Sequence, residues 1–132
     1  MATYQRGMEF PHEGFVQKAI EGYFFSRGFT ILEEDYTDLV CVCGNSQKKW
    51  AIEAKGKTTN IGSDFRTGLG QLVQRMKEQE TNYAIAVPEI DQFIKQCTVI
   101  SKWVRVSLNL HIIFVGEQGN VRIVSPHEEL GT

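Results

Sequence analysis

Residues 38–55 read DLVCVCGNSQKKWAIEAK, and this stretch decides the fold because it has the pattern of a β-hairpin. Its two arms, residues 38–43 and 48–55, are rich in β-branched, aromatic and thiol side chains, which are typical of strands. The segment between the arms, Gly44 to Gln47, has the composition of a turn. The sequence therefore predicts two antiparallel strands joined by a tight turn.

The register of this hairpin decides which side chains meet. If the turn is centred on the middle of its segment, Leu39 lies opposite Ile52. One residue further out, Asp38 lies opposite Glu53. Directly opposed residues share a face with their Cβ atoms about 5 Å apart, so two carboxylates in these positions repel each other. Because side chains alternate along a strand, Lys55 projects from the same face as Glu53.

Two carboxylates with a neighbouring ammonium form a place where a divalent cation can bind. Mg²⁺ typically takes one or two protein carboxylates and fills its other positions with water and phosphate oxygens. The opposed Asp38 and Glu53 therefore predict a Mg²⁺ site beside Lys55, in which Mn²⁺ would substitute. A slip of the register by one residue would turn Asp38 to the other face and remove this site.

The hairpin resembles a known catalytic motif. Asp38, followed by Glu53-Ala54-Lys55 on the next strand, is similar to the D…(D/E)xK pattern of the PD-(D/E)xK, or restriction-endonuclease-like, nuclease superfamily. Thr37 stands where the superfamily name has Pro. The resemblance covers roughly residues 10 to 90, with a predicted helix before the hairpin and another after it.

The resemblance implies a fold, an activity and a set of site residues. The implied fold is α/β, a restriction-endonuclease-like αβββαβ core whose mixed β-sheet is flanked by helices, followed here by a C-terminal helix and β-hairpin. The implied activity is Mg²⁺-dependent phosphodiester hydrolysis of nucleic acid, most simply by a DNA endonuclease of repair, recombination or restriction. The implied catalytic residues are Asp38, Glu53, Lys55 and Gln71. The implied metal ligands are Asp38, Glu53, the backbone carbonyl of Ala54, and Glu13.

Two of these residues have a simpler interpretation as well. Glu13 falls on the apolar face of the first predicted helix, but an acid in a first helical turn also complements the helix macrodipole. Gln71 matches the polar residue that the superfamily often carries on the helix after its motif, yet an exposed glutamine on a helix is common. The sequence leaves both interpretations open.

Positive and hydroxyl side chains follow the motif. We expect them to hold the backbone of the nucleic acid without reading base identity. This role is assigned to Lys57, Thr58, Thr59, Arg66 and Arg75. Two further cations beside the turn, Lys48 and Lys49, fit a solvated charged face as well as a phosphate contact.

The other segments predict helices and strands by their apolar spacing and their flanking Pro, Gly and Ser residues. The predicted order of elements is αβββαβαββ. The elements outside the hairpin are helix 1 at about 11–27, a strand at 29–35, helix 2 at about 63–80, a strand at 82–87, a long helix 3 with apolar residues from Ile90 to Val104, and closing strands at 110–116 and 120–124.

Particular residues mark the ends of the first two helices. Pro11 is predicted at the first helical position of helix 1, and Gly28 just past its end. Ser63 is the predicted N-cap of helix 2. Inside helix 2, Gly68 and Gly70 would each weaken the helix by about 1 kcal/mol relative to Ala. A close approach of helix 2 to the hairpin would explain why glycines are there.

Composition narrows the class of protein. With 132 residues, 42% of them hydrophobic and 23% charged, the chain is expected to form a single globular domain over residues 1–132. No apolar run approaches the ~20 residues of a membrane span, and the first ten residues lack an apolar signal region, so we expect a cytoplasmic protein without a membrane partner. The spacing of Cys41, Cys43 and Cys97 favours buried thiols over a disulfide framework or zinc site.

Charge and domain count bear on the function. The net charge of −2 disfavours a non-specific nucleic-acid coat but agrees with a nuclease, whose catalytic acids lower the sum. The main rival is a non-cleaving nucleic-acid-binding or scaffold subunit of a larger nuclease or repair assembly, although binding alone needs no opposed carboxylates. A small-molecule enzyme is a third class, without a cofactor motif in this sequence. Cutting both strands of a duplex would favour a homodimer.

A single domain leaves little room for a separate module that recognises a target sequence. The sequence therefore favours a structure-selective nuclease, like the Holliday-junction resolvases, or a nuclease that a larger protein partner delivers to its DNA.

Overall fold

The computed structural model describes residues 7–32 and 37–130. Within them the element order is αβββαβααββ. The elements are α1 (Glu13–Ser26), β1 (Phe29–Leu32), β2 (Leu39–Cys43), β3 (Lys49–Ala54), α2 (Ile61–Gln74), β4 (Asn82–Pro88), α3 (Asp91–Thr98), α4 (Lys102–Leu108), β5 (Leu110–Val115) and β6 (Val121–Val124). No helix of the described residues is long and apolar enough to cross a membrane.

The strands form one six-stranded mixed sheet in the order β1 to β6. The inner strands β3, β4 and β5 run parallel, while the two hairpins and the β1–β2 pair are antiparallel. Parallel strands need crossover connections, which the helices α2 and α3–α4 provide. This arrangement confirms the predicted α/β fold with a mixed sheet flanked by helices.

Each face of the sheet has its own core. One face is covered by α1 through Val16, Ile20 and Phe24, which pack on Trp50 and Ile52 of β3. The other face is covered by α2 and α3, whose buried residues include Phe65, Leu72, Phe93 and Cys97. Cys41 and Cys97 are buried free thiols and Cys43 is a partly buried one, as the sequence predicts.

The register of the β2–β3 hairpin is the predicted one. Leu39 pairs with Ile52 and Cys41 pairs with Trp50. The backbone of Cys43 closes the turn by bonding to Lys48 and Gln47 at 2.8 Å each. Continuing this register by one residue places Asp38 opposite Glu53. Since Trp50 and Ile52 face α1, Glu53 faces α2.

The N-terminus of the first helix lies two residues later than predicted. Helix α1 begins at Glu13 with His12 as N-cap, so Pro11 precedes the helix instead of occupying its first position. The reason is tertiary, because the carbonyl of Pro11 accepts a hydrogen bond of 2.9 Å from the backbone of Lys57. The C-terminus matches the prediction, with Gly28 in the left-handed region at φ 86. The strand predicted at 29–35 is confirmed over Phe29–Leu32, and its last three positions lie outside the described residues.

Both ends of the second helix differ from the prediction. Its N-cap is Asn60, not Ser63, and it ends at Gln74 instead of about residue 80. The end is early because the hydroxyl of Tyr83 accepts hydrogen bonds from the backbone N–H groups of Lys77 and Glu78, at 3.2 and 3.1 Å. These two N–H groups are thereby taken from the helical ladder.

The long helix predicted after β4 is two helices. The helix α3 ends at Thr98, and α4 starts at Lys102 after Ser101 in extended conformation. The apolar spacing continues through the break, so periodicity alone could not reveal it. After the break, Arg105 is buried and donates hydrogen bonds to backbone carbonyls of the C-terminal segment. Its acceptors are Ser125, Pro126 and Glu128, at 3.5, 3.3 and 2.9 Å.

Candidate active site

The predicted carboxylates, Asp38 and Glu53, lie at the C-terminal end of β3. Asp38 directly precedes β2, and its Oδ2 accepts a hydrogen bond of 2.8 Å from the backbone N–H of Ala54. The amide of Gln17 on α1 donates to the carbonyl of Asp38 at 3.2 Å. Asp38 is therefore fixed through both its backbone and its side chain. Its side chain is held at Ala54, which lies between Glu53 and Lys55 in the sequence.

Glu53 is a buried acid, and one of its carboxylate oxygens has no hydrogen-bond partner among the described residues. It is only 7% exposed. Its Oε1 makes no hydrogen bond to any described residue. The guanidinium of Arg75, the C-cap residue of α2, lies 3.7 Å from this oxygen, which is within ion-pair range but too long for a hydrogen bond. One oxygen of Glu53 is thus buried and available for a ligand.

The protonation of Glu53 reflects this environment. Burial, reinforced by the negative charge of Asp38, raises the pKa of Glu53 to about 7. The cations of Lys55 and Arg75 lower the pKa but do not outweigh burial, and Glu13 raises it further. The opposed acids that the sequence predicts are therefore coupled through their charges.

Glu13 reaches this cluster because β3 ends against the start of α1. A Cβ at Gly56 would overlap the backbone of Glu13, so only glycine fits this contact. The hydrogen bond from Lys57 to Pro11 holds the same two segments together. Glu13 is itself buried, at 7% exposure. The inward position predicted for Glu13 is confirmed, and its role as a metal ligand stays a prediction.

The helix α2 lies along the same face of β3 in the opposite direction. Lys55 lies beside Gly68, and Glu53 lies beside Arg75. Seven residues, or about two helical turns, separate Gly68 from Arg75. The close approach proposed from the sequence is confirmed for Gly68 but not for Gly70, where an added Cβ would have no described atom within 4 Å.

A cleft of about 380 Å³ opens next to Lys55. Its lining includes four residues predicted for the site, namely Glu13, Lys55, Lys57 and Thr58. It also includes His12 and Asp64, which the sequence analysis missed. The only sequence signal for His12 was its position directly before Glu13. Asp64 receives a hydrogen bond from the hydroxyl of Thr58, which orders the loop before α2.

The other predicted residues surround this cleft or lie on α2. Lys57, Thr58, Thr59 and Arg66 are exposed on the loop after β3 and the first turns of α2. Gln71 is exposed on α2. Arg75 is half-buried against Glu53, which the sequence analysis did not foresee. At the far end of β3, Lys49 lies 3.5 Å from Glu78.

The donor set can be compared with what Mg²⁺ requires. Within residues 7–32 and 37–130, no three or more His, Cys, Asp or Glu side chains are grouped so that they could hold a metal ion. Mg²⁺ does not need such a cage, because one or two carboxylates with water and phosphate oxygens suffice. The unbonded oxygen of Glu53 and the opposed Asp38 fit a cation of this kind.

Two crystal structures of known proteins are similar to this chain. An XisH family protein from Nostoc punctiforme has 17% sequence identity and a TM-score of 0.56, over 83% of this chain and 98% of that one. An FdxN element excision controlling factor protein from Anabaena variabilis has 17% identity and a TM-score of 0.55, over 83% and 96%. No protein-family model and no curated protein sequence matches the chain. The likeness establishes the fold.

The raised pKa of Glu53 predicts a pH dependence of stability. The folded state holds the proton of Glu53 more tightly than the unfolded state, whose pKa is near 4.5. In metal-free solution the contribution of Glu53 to the free energy of unfolding should therefore fall by about 3 kcal/mol as pH rises from about 4.5 through about 7. Glu53→Gln should lack this fall. Unfolding by urea in EDTA at several pH values measures both curves.

His111 provides a background that both proteins share. Burial lowers the pKa of His111, so its contribution has the opposite sign and raises stability as pH rises through its ordinary value. This contribution cancels when the two curves are subtracted. Parallel curves for the wild type and Glu53→Gln would show that folding does not raise the pKa of Glu53.

Proposed function

We propose that this protein is a Mg²⁺-dependent phosphodiesterase that hydrolyses nucleic acid, most simply a DNA endonuclease. The observation that carries the proposal is the buried Glu53, with one oxygen unbonded, held beside Asp38 and Lys55 at the end of a central strand. A buried acid next to a like charge is unfavourable for folding, and binding of a cation offsets it. A buried carboxyl group with a strongly perturbed pKa is typical of functional sites.

Each side chain of the cluster has a role in this reaction. Asp38, Glu53 and the carbonyl of Ala54 would hold Mg²⁺, with Glu13 as a further ligand or as a contact to water. The chemistry supplied by a bound Mg²⁺ is Lewis acidity, which polarises the scissile phosphate and lowers the pKa of a water molecule. Beside a divalent cation, Glu53 would be ionised at neutral pH despite its raised pKa.

Lys55 and Gln71 would act on the reacting groups. The ammonium of Lys55 would position the attacking water and stabilise the negative charge that develops on phosphorus-bound oxygens. Gln71 would orient water or phosphate from the exposed side of α2. When a cation neutralises Glu53, the guanidinium of Arg75 would be released from its ion pair and could contact a phosphate.

The exposed residues around the cleft would bind the backbone of the substrate. Lys57 and Arg66 offer positive charge, while Thr58 and Thr59 offer hydroxyl groups. The hydroxyl of Thr58 already donates a hydrogen bond to Asp64. The main role of Thr58 would therefore be to hold this loop in place for the residues that contact phosphate.

The fold supports a role on DNA. One protein of the same fold is an element excision controlling factor. A phosphodiesterase acting in the rearrangement or excision of a DNA element would agree with this neighbour. A second copy of the chain would let the enzyme cut both strands, and a larger protein could deliver it to its target.

A non-cleaving nucleic-acid-binding or scaffold subunit is the second candidate. Two contacts favour it, because Asp38 already accepts a hydrogen bond from Ala54 and Glu53 already has an ion pair with Arg75. In this alternative the acids serve the fold, and the exposed cations bind nucleic acid without hydrolysis.

An assay of DNA cleavage separates these two candidates. The purified protein should cleave DNA with Mg²⁺ or Mn²⁺ and should stop when EDTA is added. Glu53→Gln should lower the rate at least about hundredfold, because it removes a ligand charge. Glu80→Gln, an exposed position on the turn before β4, is the matched control and should cleave like the wild type. Product formation is followed on linear duplex, single-stranded and branched DNA.

The binding-only candidate gives a different outcome. It predicts retention of these DNAs in a gel shift with no product under either metal, and equal retention by Glu53→Gln. That pattern would exclude the phosphodiesterase.

The variant Glu13→Gln decides between the two interpretations of Glu13. If Glu13 is a ligand or a water contact, Glu13→Gln should lower cleavage more than about tenfold with little change in stability. If Glu13 only complements the helix macrodipole, cleavage should be near normal and the free energy of unfolding should fall by about 0.3–1 kcal/mol. Cleavage rate and urea unfolding of this one variant measure both quantities.

A further inference from the structure

The side chain of Lys55 crosses α2 at Gly68. A Cβ built on Gly68 would lie 2.8 Å from Cδ of Lys55, 3.3 Å from its Cγ and 3.4 Å from its Cε. Real Cβ atoms essentially never approach another carbon as closely as the first of these distances. The aliphatic stem of Lys55 therefore occupies the space that any other residue at position 68 would fill.

The start of this side chain is fixed as well. The backbone N–H of Lys55 donates a hydrogen bond of 2.9 Å to the carbonyl of Ala86, which extends the pairing of β3 with β4. The stem then runs over Gly68, which is buried in the α2 interface. With its backbone fixed in the sheet and its stem packed on α2, the side chain has few favourable rotamers, and these determine where the ammonium lies.

Gly68 has no backbone reason to be glycine. Glycine weakens a helix interior relative to alanine. The backbone of Gly68 is helical and lies outside the left-handed region, so alanine could adopt it. The contact with Lys55 is thus the feature of the described structure that requires glycine here.

We infer that Gly68 is a positioning residue, whose missing side chain leaves the channel that directs the Lys55 side chain past α2 into the cleft beside Glu13. The inference rests on the proposed function of Lys55 in phosphodiester hydrolysis. In this reaction, the backbone of α2 at Gly68 would set the position of the Lys55 ammonium.

The contact predicts an unusual combination of effects for Gly68→Ala. The new methyl group meets the flexible stem of a lysine rather than backbone, so the stem can move aside and the fold can be kept. Alanine also favours the helix. The melting temperature should therefore equal or exceed that of the wild type, while the displaced ammonium lowers the rate of cleavage.

Gly70→Ala is the matched control. It lies on the same helix and gains the same helix propensity, but within the described residues no atom lies within 4 Å of its added Cβ. We expect Gly68→Ala to lower kcat at least tenfold with little change in KM for DNA, and Gly70→Ala to stay within twofold of the wild type. In a Lys55→Ala background, adding Gly68→Ala should cause no further loss.

A second readout does not depend on cleavage. The rate at which an amine-reactive ester acylates Lys55, followed by mass spectrometry of its peptide, reports the exposure of the ammonium. The displaced side chain in Gly68→Ala should react at least twofold faster than in the wild type, whereas Gly70→Ala should react at the wild-type rate. If the wild type cleaves no DNA, the phosphodiesterase fails, and this acylation comparison alone still decides whether Gly68 positions Lys55.

Three results would overturn the inference. The first is full cleavage by Gly68→Ala. The second is a loss of cleavage that adds to that of Lys55→Ala, since Gly68 would then act by another route. The third is an unchanged rate of Lys55 acylation in Gly68→Ala.

Discussion

The register of the β2–β3 hairpin is the constraint on which the rest of the site depends. It sets Asp38 opposite Glu53, and two carboxylates so placed repel each other. The fold reduces this repulsion with a backbone hydrogen bond to Asp38 and an ion pair from Arg75 to Glu53. Burial, together with the negative charge of Asp38, still raises the pKa of Glu53 to about 7, so the ionised form of Glu53 remains unfavourable. A divalent cation is the ligand that would relieve the remainder.

Three elements from different parts of the chain hold this hairpin end in place. The helix α1 contacts it through Gly56, where the absence of a side chain lets two backbones touch. The helix α2 lies on its other side, with Gly68 under Lys55 and Arg75 beside Glu53. The parallel neighbour β4 fixes its backbone from the side. These contacts would keep the charged groups in place before a substrate binds, as the proposed electrostatic catalysis requires.

The sequence predicted what depends on short-range pattern. Alternation along β3 and the turn at its start were sufficient to place Glu53 and Lys55 on one face and to set the register of Asp38. The sequence did not predict the ion pair between Arg75 and Glu53, because this ion pair depends on how α2 packs on the sheet. The same holds for the end of α2, where the hydroxyl of Tyr83 on β4 accepts hydrogen bonds from two backbone N–H groups that would otherwise continue the helix. His12 lines the cleft because α1 begins only at Glu13, whereas the sequence placed His12 inside the first helix.

Anomalous diffraction from crystals grown with Mn²⁺ would show directly whether Asp38 and Glu53 hold a cation. We expect an anomalous peak within about 2.5 Å of carboxylate oxygens from both Asp38 and Glu53, with the guanidinium of Arg75 moved away from Glu53. Crystals of Glu53→Gln grown in the same solution should lack the peak. A wild-type structure at saturating Mn²⁺ that shows no peak there, with Arg75 still paired to Glu53, would show that Asp38 and Glu53 are structural residues and not metal ligands.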